Sequence, residues 1–234
     1  MPTRRQFLTG VGSAAVAVAT SSTATAQTDE SFSEQPDHVT INGLDEERTA
    51  IERYRPLLDL SNVEVRPTDL HAWEVVSEEF DYDWYCYWAF YTAQQGVRSE
   101  DSHLPDREPV YVAVEDGSVD HIIVSDWHYA AEVIEDPELY ETTHPRLRVI
   151  EPWHGTTPTD SGGEFVSLAN MKSTYPDWLA NGWNVDRRSV VDPPTAEERG
   201  NWWREDDQFN HSLAVWWHDL SVPFDWNPFT IEGW

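Results

Sequence analysis

The residues best placed to do chemistry lie in Asp101-Ser102-His103-Leu104-Pro105-Asp106-Arg107-Glu108. If the extended path begins at Asp106, then Asp106, Glu108, Val110, Val112 and Val114 share one strand face. Three valines turn that face toward a core. Two carboxylates at the rim of an apolar face are costly unless something positive meets them. His103, three residues earlier on a Pro-containing turn, can swing back toward the same point. One imidazole and two carboxylates suit a divalent ion with open positions, Ca²⁺, Mg²⁺ or Mn²⁺ more than structural zinc. The plainer reading is a solvated turn in which Arg107 pairs with a neighbouring acid. Accidental carboxylate pairs are common in a chain this acidic.

Other familiar chemistry is absent. The sequence has no G-x-S-x-G elbow, no H-E-x-x-H, no phosphate loop and no dinucleotide fingerprint. Its single Cys, Cys86, sits in an aromatic run where a thiol packs rather than reacts. It excludes an intramolecular disulfide and a multi-thiolate zinc site. His128, in Asp126-Trp127-His128-Tyr129, is a second metal-ligand candidate, with packing as its ordinary role. His144 and His154 are expected on loops, where they would line the same cavity if the strands return there. His211 and His218 are expected to share a packed helix face.

The elements that must position these residues read as mainly β, a β-sandwich with peripheral helices, α+β overall. Leu44, Ile51, Tyr54 and Leu58 fall near helical spacing, with Asp45, Glu46 and Glu47 in the first turn. Pro56 ends or bends this helix. Ala72–Val76 is a strand candidate. Trp84–Tyr91 is β-prone, with large side chains on both faces, as in a strand covered on both sides. Val110–Val114 and Val119–Val124 flank Asp116-Gly117, a strong hairpin signal. Leu147–Ile150 is a further strand, followed by a Gly/Pro/Thr-rich loop through Gly163. Tyr175–Ala180 and Phe209–His218 have helical texture, and Val222–Trp234 is irregular. Most of the 13 Trp are expected in the core. Trp153, Trp226 and Trp234 are the candidates for exposed stacking on sugar rings or a membrane interface.

The run Tyr87-Trp88-Ala89-Phe90-Tyr91, then His103-x-x-Asp106-x-Glu108, Val110–Val114 and Asp116-Gly117 resembles the necrosis-inducing protein-like family. It is also similar to a related family named after vacuolar protein sorting. Both carry His-x-x-Asp-Trp-Glu running into a valine-rich strand. The resemblance implies a β-sandwich whose His, Asp and Glu help hold a divalent cation in a surface cavity, here His103, Asp106 and Glu108. It covers roughly Trp84 to His128. Arg107 stands where the family has Trp, and Pro105 replaces its second His. The family's upstream Asp has no in-register match, since Gln95 lies near that spacing; Glu100 or Asp101 is the nearest substitute. A later Ser-x-His is matched only loosely, by Ser125 and His128.

The 234 residues carry 15 Lys and Arg against 43 Asp and Glu, a formal charge of −28. That excludes binding a nucleic-acid backbone by charge. With 39% hydrophobic residues the chain is not an acidic disordered tail. Thr3-Arg4-Arg5-Gln6-Phe7-Leu8, the apolar Val11–Ala19 and Ala24-Thr25-Ala26 resemble a twin-arginine export signal with a cleavage site. The apolar run is shorter than the roughly 20 residues a span requires. The expected organisation is a signal peptide at 1–26, a flexible lead-in at 27–43 and one globular domain at 44–234. Scarce Lys and abundant acids resemble exported proteins of salt-loving archaea, in which salt screens self-repulsion.

These features point to an exported, salt-adapted β-sandwich that binds a divalent cation at His103, Asp106 and Glu108, with His128 as a further ligand candidate. Through the ion it would grip a glycan or polar head group. One alternative is a metal-dependent hydrolase, with His128 or Glu100 as the base. Another is a structural extracellular domain without metal.

Overall fold

The computed structural model describes residues 36–95, 104–127, 130–173 and 192–199. Among the described residues the fold is mostly β, in two sheets, with helices at Leu44–Arg53 and Pro193–Arg199. The strands are β1 (Thr40–Asn42), β2 (Leu57–Asp59), β3 (Asp69–Val76), β4 (Asp83–Tyr91), β5 (Asp106–Glu115), β6 (Ser118–Trp127), β7 (Ala130–Ile134), β8 (Leu139–Tyr140), β9 (His144–Ile150), β10 (Gly155–Pro158) and β11 (Leu168–Asn170). The helices are α1 (Leu44–Arg53) and α2 (Pro193–Arg199).

The larger sheet runs β1-β3-β4-β5-β6-β7, with β11 also paired to β3. Its centre is antiparallel, with Tyr91 opposite Asp106 and Tyr87 opposite Val110. The smaller sheet runs β10-β9-β2, and β8 pairs with β9. Leu58, Leu147 and Val149 of the small sheet pack in one cluster with Tyr87, Val110, Val112, Ile122 and Val124 of the large one. The opposite face of the large sheet carries Trp73, Trp84, Cys86, Trp88, Tyr111 and Ile123. Residues of alternating parity along β4 thus enter two cores, which is why its sequence shows no polar face. Trp84 and Trp88 share a face, as their spacing predicts.

The hairpin between β5 and β6 turns at Asp116 and Gly117, both at positive φ (50° and 79°). That is the backbone an Asp-Gly turn favours. Helix α1 starts after Gly43, whose N–H donates to Glu46 Oε2 at 2.9 Å. It ends before Pro56, and Tyr87 Oη donates to the Ile51 carbonyl at 2.6 Å, tying helix to sheet.

Several expectations are corrected. Leu58 lies in β2, not in the first helix: Pro56 breaks the helical path, and β2 then pairs in parallel with β9. The Gly/Pro/Thr-rich segment after Ile150 is not all loop, since Gly155–Pro158 pairs antiparallel with β9. Its two consecutive Thr are β-formers that composition alone masks. His144 opens β9 instead of sitting on a loop. Thr40–Asn42, inside the expected lead-in, pairs with β3. The helical readings at Tyr175–Ala180 and Phe209–His218, and the Val222–Trp234 tail, lie outside the described residues.

Candidate functional site

Strand β5 begins at Asp106, so Asp106 and Glu108 lie on the same face as Val110, Val112 and Val114. Both carboxyls are buried, at 3% and 2% exposure. Arg107, on the opposite face, sets its guanidinium 4.4 Å over the Phe90 ring. Burial lowers its pKa to about 10, against the opposing pull of Asp106.

Three elements close around the two carboxyls. From β4, directly opposite Asp106, comes the fully buried Tyr91. From β6 comes Ser125, also fully buried. The turn between β9 and β10 supplies Glu151 and His154. His154, 1% exposed, holds its Nδ1 2.7 Å from Asp106 Oδ2. A carboxylate oxygen only accepts, so the ring donates from Nδ1. The imidazole stacks flat on Tyr91, with centroids 3.9 Å apart and planes at 1°. Its Nε2 faces Glu151 Oε2 at 3.8 Å.

The backbone makes this placement possible. His154 sits at φ +55°, a conformation L-residues seldom adopt. Gly155 follows against β6, where an added Cβ would lie 2.5 Å from the Asp126 carbonyl oxygen. Only glycine lets β10 come this close.

Burial and mutual repulsion dominate the electrostatics of the carboxyl pair. Burial first, then the charge of Asp106, pushes the Glu108 carboxyl well above its ordinary range, and a hydrogen bond shared with Asp106 adds to the rise. The nearby Ser125 hydroxyl acts in the opposite direction. Glu108 Oε2 is buried with no hydrogen-bond partner, as are Tyr91 Oη and His154 Nε2. Burial, followed by Glu108, Asp106 and Glu151, drives the Tyr91 hydroxyl well up, so it stays protonated. Acceptors left unmet in a buried pocket call for a proton or a cation. Carboxylate oxygens are the donor type that hard divalent ions take. Among the described residues, no set of three or more His, Cys, Asp or Glu side chains is arranged to hold one.

Of the sequence-predicted ligands, the structure brings together Asp106 and Glu108. His103 and His128, with Glu100 and Asp101, lie outside the described residues. His154 joins Asp106, as its loop position allowed if the strands returned. Sequence reasoning missed Tyr91 as its platform, for which the only signal was an aromatic at the end of β4. His144 lies apart from the pair, its Nδ1 donating to the Arg55 carbonyl. Trp153, expected to be exposed for stacking, is 6% exposed and packs inward. Cys86 is fully buried, and burial raises its thiol well above the ordinary range.

No known protein family profile matches the chain, and no curated protein does. Among solved structures, it is similar to necrosis and ethylene inducing protein 2 from the causal agent of cocoa's witches' broom disease. That match has 14% identity and a TM-score of 0.48, and covers 67% of this chain and 92% of the other. It is also similar to the protein NLPPya, solved in complex with mannosamine, at 14% identity and a TM-score of 0.43, over 58% of this chain and 76% of that one. A structure described as a toxin fold for microbial attack and plant defense matches at 13% identity and a TM-score of 0.43, over 52% and 72%. At these values neither family membership nor a ligand follows for this chain.

Proposed function

We propose that the protein is a divalent-cation-dependent binding module whose ion sits at Asp106 and Glu108 and grips a glycan or polar head group. The observation that carries this reading is the buried Asp106–Glu108 pair, with one Glu108 oxygen left without a partner. A hard cation, Ca²⁺, Mg²⁺ or Mn²⁺, offsets the two charges and keeps positions open for sugar hydroxyls or a head-group oxygen. His103, three residues before Asp106, is the proposed third ligand, and His128 the next candidate. His154 would hold Asp106 in place from outside the ligand set, as partners of metal-binding carboxylates do.

The protein works outside the cytoplasm, exported by the twin-arginine segment at 1–26, and is adapted to molar salt. The −28 charge supports that reading, because a Debye length of about 3 Å at about 1 M salt screens the repulsion.

The test is calorimetric titration of Ca²⁺, Mg²⁺ and Mn²⁺ into the chelator-treated protein in molar KCl, followed by a panel of neutral, amino and acidic oligosaccharides with and without the ion. Saccharide binding that requires the ion and disappears in D106N is the expected result. Saccharide binding indifferent to chelator would overturn the role of the ion. Ion binding unchanged in both D106N and E108Q would overturn the site.

A further inference from the structure

On the opposite face of the large sheet, away from the Asp106 pocket, β6 carries a β-bulge. Ala113 pairs with His121 and Val114 with Val119, leaving Asp120 as the extra residue. Consecutive strand residues normally point to opposite faces, and a bulge re-aims one of them. Here the Asp120 Oδ2 reaches the Nδ1 of its own neighbour, His121, at 2.8 Å. The ring is held edge-on by Tyr82 (5.0 Å) and Trp84 (5.4 Å). Only 4% of the His121 side chain is exposed.

Because a carboxylate accepts, Nδ1 donates to Asp120. The ring's Nε2 is buried and has no hydrogen-bond partner. It faces Glu197 Oε2 of α2 at 3.7 Å, a gap too long for a direct hydrogen bond. Ala196 beside it is fully buried in the same cluster as Trp84 and Ile123, fixing α2 over this spot. The surroundings are electronegative: Asp120 foremost, with Glu115 and Glu197, raises the pKa of the Tyr82 hydroxyl.

We propose that His121 Nε2 and Glu197 are the two protein ligands of a second divalent-ion site, of the zinc class, that fastens α2 to β6. A carboxylate that fixes the tautomer of a metal-binding histidine from its far side is a recurrent device for raising ligand basicity, and Asp120 stands in that place. An ion at about 2.0–2.1 Å from nitrogen and about 2.0–2.2 Å from oxygen spans such a gap with a bent N–metal–O path, and water completes its shell. Imidazole with carboxylate favours Zn²⁺ and its neighbours over Ca²⁺ or Mg²⁺. The site is independent of the Asp106 reading.

The experiment is Zn²⁺ titration of the full chain by calorimetry, for wild type, E197Q, D120N and D106N, with hydrogen exchange of amides 193–199 in parallel. The Glu197 side chain is 41% exposed, so its replacement leaves the fold intact. The expected result is a Zn²⁺ event weakened at least about tenfold in E197Q and about 10–100-fold in D120N. The α2 amides should be slowed by Zn²⁺ in wild type and in D106N but not in E197Q. Equal Zn²⁺ binding in wild type and E197Q would overturn the proposal. So would α2 amides that respond to acidification but not to Zn²⁺, since a proton would then fill the gap.

Discussion

His154 and Asp106, 48 residues apart in sequence, meet at 2.7 Å with both side chains almost fully buried. The contact joins the start of β5 to the turn between β9 and β10, and so links the two sheets beside the carboxyl pair. Replacing His154 with Ala leaves the Asp106 carboxylate without this donor and removes the ring stacked on Tyr91. We expect a loss of about 2–4 kcal/mol, read from guanidinium unfolding midpoints. A loss below about 0.5 kcal/mol would show that the contact holds nothing together.

Gly155→Ala tests the close approach of β10 to β6. The new methyl meets the Asp126 carbonyl oxygen at 2.5 Å, a backbone atom that cannot swing aside. Overpacking of this kind costs about 1–3 kcal/mol. A lowered melting temperature accompanied by weaker ion binding is expected, because His154 shifts with its neighbour. Unchanged melting would mean that the strands part freely.

Glu108→Gln separates stability from ion binding. It removes a buried carboxyl whose ionisation is opposed by burial and by Asp106 while keeping the shape, so the metal-free protein should gain about 1–2 kcal/mol near neutral pH. The same variant should no longer respond to added cation. A metal-free E108Q protein less stable than wild type would contradict the charge imbalance described here.

Much of the site was legible in one strand. Asp106 and Glu108 declare themselves by sharing parity with three valines, and β5 does begin at Asp106. The hairpin at Asp116-Gly117 was equally plain, because few residues tolerate two positive φ values in succession. What could not be read was distance across the chain. His154 reaches Asp106 only because β9 and β10 form a second sheet over the first, and β10 has just four residues in a stretch that looks like loop. Trp153 looked like an exposed platform for the same reason, since nothing local tells that its turn folds inward. Strand β2 was hidden by Leu58, whose spacing from Leu44 and Ile51 mimics a helix until Pro56 interrupts it.

Acid sensitivity should trace to Asp59. Its burial works to raise the pKa, but hydrogen bonds from Ser61 and the Arg148 guanidinium outweigh that and hold the carboxyl below its ordinary range. A depressed folded-state value contributes stability that is fully present above the unfolded value and is lost as pH falls through the folded one. Unfolding free energy should therefore drop below about pH 4, and D59N should flatten that limb. An acid limb of the same slope in D59N would assign the loss elsewhere.

The central claim is that the Asp106–Glu108 pair is completed by a divalent cation. It is tested most directly by thermal unfolding in molar KCl with chelator and with Ca²⁺, Mg²⁺ or Mn²⁺, comparing wild type with D106N. At an ion concentration 100 times the dissociation constant, the native state should gain about 2.7 kcal/mol, and D106N should gain nothing. Identical melts for wild type with chelator and with every ion, together with no metal by elemental analysis, would contradict it.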